Sequence, residues 1–249
     1  MLRLIHAHWM KTKNTSVRIL CVSLPVIYSL ILFFYFYSHQ QLDLTAFDEY
    51  RMFFLFFTIC ALFTLSIVVP LLLTPDMQAG NLANELRIGV SRTKLFVSRF
   101  LFTIFLVIAI ELLATTLFSV LEFMFLNHVL HSFQMFVFMG IVVLFLCPLI
   151  LCYQLLALRF YYSETLLAGI FFTLSGILLG TTDLGTFIWQ FLPWVWPIRL
   201  IYYEMSETSF NVFSQHWELT ISSLFLTFLL MVLGIIWYNQ WEGKMSLED

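Results

Sequence analysis

Charge is what this sequence has least of. Only 11% of its 249 residues are Asp, Glu, Lys or Arg, against 61% hydrophobic. With a mean hydropathy of +0.93, that scarcity excludes a soluble globular domain of ordinary composition. Cysteine is sparse as well: Cys21, Cys60, Cys147 and Cys152 all fall inside apolar stretches, with neither a disulfide framework nor a zinc-type spacing. The sequence has no G-x-S-x-G, H-E-x-x-H or C-x-x-C motif, so hydrolase, zinc-protease and thioredoxin-type chemistry find no support. It also has no G-x-x-x-x-G-K-[ST] loop to hold a nucleotide's phosphates, so the chain is expected to be no enzyme, and any ATP must be hydrolysed by another polypeptide.

What is present is a set of long apolar blocks. A membrane helix needs about 20 mostly apolar residues to cross a hydrocarbon core of roughly 30 Å. Six blocks meet that need, near 19–37, 52–73, 97–122, 134–157, 165–182 and 219–238. The expected fold is an all-α integral membrane protein, a single transmembrane domain over 1–249. The first block follows a polar segment and precedes no small-residue cleavage site, so it reads as a retained helix.

The net charge of −3 matters less than its distribution. With the N-terminus inside, Arg3, Lys11, Lys13, Arg18, Arg87, Arg92, Lys94, Arg99, Arg159 and Lys244 are cytoplasmic, and only Arg51 and Arg199 lie outside. By the positive-inside rule both termini are expected in the cytoplasm.

Four stretches stand out, three of them outside the spans. In the first, residues 1–18, Leu2, Ile5 and Trp9 recur at helical spacing with Arg3, His8 and Lys11 opposite, which predicts an amphipathic elbow helix lying in the interface. It serves either as a partner contact or as an anchor to anionic headgroups. The second, 74–96, is the longest polar gap, and loops beyond about 12–15 residues are usually functional or disordered. Its Thr74-Pro75-Asp76 has the chemistry of a helix start: a hydroxyl cap, a proline where no amide is needed and an acid in the first turn. Leu82, Leu86 and Val90 then form a narrow apolar stripe, with Asn81, Asn84, Glu85 and Arg87 turned to water or a partner and Gly80 and Gly89 as joints.

The third span carries Glu111, Thr115 and Glu122 on nearly one helical face. Glu111 stands roughly 18 Å along the helix from Arg99, deep in the membrane, where an ionisable group is expensive. It is either a transport-path residue or a partner in an interhelical hydrogen bond. The fourth stretch, 184–217, is too polar and proline-broken to cross yet too aromatic for a free loop. Trp189, Trp194, Trp196, Tyr202 and Tyr203 are expected at the outer interface, on a re-entrant element or a pair of short interfacial helices.

Six spans, an N-terminal elbow, a long interior loop between spans 2 and 3, and an aromatic segment before span 6 resemble the permease subunit of an ABC-2 type transporter. The loop residues Asp76-Met77-Gln78-Ala79-Gly80-Asn81 and Ser91-Arg92-Thr93-Lys94, with the start Trp9-Met10-Lys11-Thr12-Lys13, resemble permeases of bacterial lantibiotic immunity transporters. Two departures are Met77, where such loops usually carry a charge, and Gly89-Val90 before Ser91-Arg92, where many have proline.

The resemblance implies a plasma-membrane exporter in which two six-span permeases, often non-identical, pair with two copies of a separate ATPase that binds ATP and Mg. It also implies that Asp76, Gln78, Gly80, Asn81, Glu85, Arg87, Ser91 and Arg92 form the coupling element against that ATPase. A cationic lantibiotic-type peptide would then be expelled from the membrane's outer leaflet. The alternatives are an exporter of another amphipathic substrate (a drug, a lipid-linked molecule or another peptide) and a membrane peptide-binding or sensor subunit that does not pump. No nucleic-acid partner is expected.

Two weaker signals remain. His128 and His131 sit at i, i+3 without an acid or thiol at ligand spacing, and no metal site is expected. The outer face holds Asp43, Asp48, Glu49, Asp183, Glu204, Glu207 and Glu218 against two arginines. That excess either concentrates a cationic peptide or follows passively from the positive-inside rule.

Overall fold

The computed structural model describes residues 2–40, 44–78, 89, 91–127, 132–160, 162–204 and 216–241. Among these residues the structure is helical with no strand. We label the helices α1 (Leu2–Lys11), α2 (Ser16–Ser38), α3 (Ala46–Gln78), α4 (Arg92–Phe125), α5 (Ser132–Phe160), α6 (Tyr162–Thr181), α7 (Trp196–Arg199) and α8 (Trp217–Gln240). Six of them, α2 to α6 and α8, are long and apolar enough to cross a membrane. They alternate in direction, so Lys11, Arg18, Asp76, Arg92, Arg99 and Arg159 gather at one end, here the α1 end, and Arg51 and Arg199 lie at the other.

Two helices outrun their hydropathy blocks. Helix α3 has 33 residues and α4 has 34, against about 20 for a hydrocarbon crossing. Backbone hydrogen bonding does not stop where hydrocarbon stops, and the charged flanks Asp48–Arg51, Arg92 and Lys94 are good enough helix formers to extend both spans. Thr74-Pro75-Asp76 is therefore not a helix start, as its cap chemistry predicted. It lies in the last turns of α3, which runs through Pro70 and Pro75 to Gln78. The Pro70 carbonyl accepts from Thr74 Oγ1 at 3.2 Å.

Lipid tails are as apolar as the side chains, so helix association inside a membrane rests on close packing, aromatic contacts and interhelical hydrogen bonds. All three occur here. The centre is aromatic: Phe53 stacks on Phe118 at 4.5 Å between ring centres and Phe54 on Phe138 at 4.9 Å, tying α3 to α4 and α5. Such pairs add about 0.5–1.5 kcal/mol each beyond area burial. Hydroxyls and an amide reach backbone carbonyls of neighbouring helices: Ser29 to Ala114, Tyr153 to Leu62, Gln154 to Phe96 and Ser223 to Leu144, all at 2.9–3.1 Å. Small residues let α6 and α3 touch, since a Cβ at Gly169 would collide with Ser66. Helices α2, α6 and α8 bury little of themselves within the chain and present apolar faces outward, as lipid-facing spans do.

Candidate functional site

The site is built where α3 ends and α4 begins. The last turns of α3 carry Asp76, the first turns of α4 carry Ser98 and Arg99, and α1 lies across both with His8 and Lys11. Lys11 Nζ sits 2.6 Å from Asp76 Oδ1, and Arg99 Nη2 is 3.5 Å from Oδ2. Arg99 Nη1 also donates to the Tyr238 hydroxyl of α8 at 3.3 Å. A single carboxylate thus links two cations, and through them four helices meet. Asp76 and Arg99 are both more than nine-tenths buried. Burying ions is costly, and their attraction offsets that cost only with good geometry and further hydrogen bonds.

His8 completes the junction. The amphipathic pattern puts it on the polar side of α1, but the structure turns it inward with Thr12, a turn away, leaving Trp9 partly exposed. Its Nε2 lies 3.0 Å from Ser98 Oγ, whose own hydrogen goes to the Leu95 carbonyl at 2.9 Å, so Nε2 is the ring nitrogen that donates. The ring stacks on Phe102. Burial first, then the Arg99 and Lys11 cations, push its pKa from 6.5 down to about 4, with Asp76 opposing, so His8 is neutral at pH 7. A cleft of about 20 Å³ beside His8, Lys11, Arg99 and Gln154 has room for about one water.

The 79–91 segment leaves α3 just beyond this junction and returns at a second one. Ser91, extended at φ −60° and ψ 135°, precedes α4 without a side-chain cap bond. Arg92 Nη1 donates to the carbonyls of Asn239 (2.8 Å) and Trp241 (2.7 Å), and Asn239 Nδ2 reaches Thr93 Oγ1 at 3.3 Å. The last carbonyls of a helix lack intrahelical donors, and here Arg92 supplies one. Of the residues assigned to coupling, Asp76, Ser91 and Arg92 are thus placed, and Gln78 is the last residue of α3. Gly80, Asn81, Glu85 and Arg87 lie outside the described residues, as do His128, His131, Asp43 and Glu207. Gly89 has φ +74°, a left-handed conformation that glycine adopts without strain.

Further along α4 the helix keeps one interior face. Glu111, Thr115 and Glu122 are all buried, at 0%, 2% and 0% exposure. Neither carboxylate oxygen of Glu111, nor the Thr115 hydroxyl, meets a hydrogen-bond partner among the described residues. Glu122 is within electrostatic reach of Glu49 of α3, also buried. Unmatched buried polar groups are rare in native proteins and need a reason.

At the end away from α1, the aromatic segment packs into the bundle. Trp189 and Trp196 are buried, and Trp194 stacks on Phe172 at 4.6 Å and donates to Ser175 Oγ at 3.0 Å, well inside α6. Tyr202 and Tyr203 stay about 40% exposed. The residue that sequence reasoning passed over is Arg199. Its guanidinium is buried, 4.0 Å from the Tyr203 ring centre and 5.9 Å from that of Trp189, and it donates to the Thr182 carbonyl at 3.0 Å. An arginine close in sequence to several aromatics was the available signal. No family model, curated protein or solved structure matches this chain.

Proposed function

We propose that the chain is the permease subunit of an ATP-driven ABC-2 type exporter, and that its favoured substrate is a cationic lantibiotic-type peptide removed from the membrane to give immunity. The observation that carries the reading is the double anchoring of the 79–91 segment. Two residues before α3 ends, Asp76 is tied to α1 and α4; one residue after the segment ends, Arg92 is tied to α8. A push on that segment from a soluble ATPase therefore acts on four helices together, which is what an input joint requires. The gathering of basic residues at this end supports a cytoplasmic placement for it. Asn81, Glu85 and Arg87 supply directional polar contacts for the partner, and ATP with Mg belongs to that partner. A second six-span permease completes the transport path in this reading, with Glu111, Thr115 and Glu122 as path residues.

The test begins with purification of the tagged chain from its native membrane. A stoichiometric ATPase is expected to accompany it; a chain that purifies without one is a peptide binder and not a pump. Glu85→Ala then addresses coupling, because it lies within the polar segment. Peptide resistance should drop at least tenfold while membrane level and thermal stability stay at wild-type values, and wild-type protection by this variant would remove the segment from the mechanism. Arg92→Ala is expected to lose resistance and also to loosen the end of α8, read as faster maleimide labelling of a cysteine placed at Asn239.

A further inference from the structure

Between α2, α3 and α4 an apolar crevice of about 290 Å³ opens on the outer surface of the bundle. Helix α2 packs on α4, and its Leu24, Ile27 and Ile31 stand exposed along the rim. The crevice runs from Leu20 to Ile31 on α2, from Val68 to Phe57 on α3 and from Thr103 to Ile110 on α4. Eleven residues of helix span about 16 Å at ~1.5 Å per residue. That is about half of a ~30 Å hydrocarbon core, the depth of one leaflet.

The wall offers little to a polar ligand. The Tyr28 hydroxyl is spent on the Phe53 carbonyl and the Thr103 hydroxyl on the Arg99 carbonyl. The mouth is the opposite. Thr103 is shared between the crevice and the small cleft lined by His8, Lys11 and Arg99. Arg18 sits one turn before Cys21, a crevice residue, and is held 4.4 Å over the Trp9 ring. Its Nη2 donates to the Trp9 carbonyl at 3.0 Å, and its Nε meets no acceptor among the described residues. Lys13, five residues earlier, is exposed, and residues 1–42 contain no Asp or Glu at all. Trp9, partly exposed, belongs at headgroup level.

We infer that this crevice is a binding site for an anionic phospholipid, one acyl chain lying between α2 and α3 and the phosphodiester resting on Arg18 and Lys13. The membrane face makes the occupant hydrocarbon, the one-leaflet depth makes it an acyl chain, and the excess of cations at the mouth makes the headgroup anionic. The site is distinct from the ATPase-coupling reading and needs no second subunit.

The experiment uses the delipidated full-length protein in detergent, titrated with palmitoyl-oleoyl phosphatidylglycerol or the phosphatidylcholine of the same chains and read by native mass spectrometry. One phosphatidylglycerol should be retained at least tenfold more strongly than phosphatidylcholine. Ala61→Phe, which puts a ring into the crevice, should reduce retention of both at least tenfold. The pair Arg18→Gln and Lys13→Gln should bring phosphatidylglycerol down to the phosphatidylcholine level. A second measurement on the wild type is independent of how the variants fold: phosphatidylglycerol with a photoreactive diazirine at the chain end should label peptides around Ile31, Phe57 or Ile110. Equal retention of the two lipids, wild-type retention by Ala61→Phe, or labelling confined to α8 would each overturn the proposal. Neither measurement contains ATP or an ATPase, so such a failure leaves the exporter reading standing, and loss of the exporter reading leaves this site untouched.

Discussion

Helix α4 buries charge at two levels and treats it in two ways. Near its start Arg99 is matched by Asp76, shared with Lys11 and braced by Tyr238. Three to six turns on, Glu111 and Glu122 are as deeply buried, Glu111 with no hydrogen-bond partner for its carboxylate among the described residues and Glu122 with only another acid, Glu49, beside it. A compensated buried ion set is costly to break and is suited to holding helices in register. A buried acid without such compensation contributes little to the fold, and at membrane depth it is a functional candidate by default. The first level has the character of a joint, the second that of a site whose purpose lies outside the fold.

The comparison breaks most readily at Asp76. Replacing it with Ala leaves Arg99 and Lys11 without the carboxylate between them, and removing one partner of a buried pair typically costs about 3–5 kcal/mol. Asp76→Ala should therefore show the largest fall in thermal stability in detergent. A variant as stable as wild type would mean that the two cations are equally well served by water or lipid.

A smaller effect tests the same joint through pH. His8 is neutral when folded, with a pKa of about 4 against 6.5 when unfolded, so the unfolded chain binds the extra proton first. The contribution is complete above pH 6.5 and is lost as pH falls from 6.5 towards 4. Its upper limit is about 3 kcal/mol, because each tenfold difference in proton affinity between the two states corresponds to ~1.4 kcal/mol. His8→Gln keeps a donor for Ser98 and removes the titration. Melting curves between pH 7.5 and 4.5 should show a shallower slope for the variant, and parallel slopes would separate His8 from the acid sensitivity.

The smallest stability change is expected at the other level. Glu111→Gln keeps the shape and removes the ionisable group, so the melting temperature should hardly move, with a change below about 1 kcal/mol. Resistance to the peptide should weaken while ATPase association persists. A large loss of stability with unchanged resistance would reverse the comparison and make Glu111 a packing residue.

Much of this was legible in advance, for local reasons. Six spans follow from apolar length, and the shared face of Glu111, Thr115 and Glu122 follows from helical periodicity, because both depend on residues near in sequence. The start of α4 at Arg92 and the extension of α3 through Pro75 were less legible. Hydropathy reports where hydrocarbon ends, whereas helix ends depend on hydrogen bonding and on neighbours. The inward turn of His8 was hidden for a related reason: amphipathic patterning ranks histidine as polar, and only Ser98 and Phe102, some ninety residues away, make its burial favourable.

By itself the sequence determined an all-helical chain with six membrane-length helices and sorted its basic residues by loop, since transfer into hydrocarbon is a sum over residues. The tertiary structure alone decided that Asp76 belongs to Lys11 and Arg99, that Arg92 serves the end of α8 and that Arg199 is enclosed by Trp189 and Tyr203. Each of those choices selects one partner among several charged or aromatic residues far apart in the chain, and only the packing of helices against one another brings a particular pair within reach.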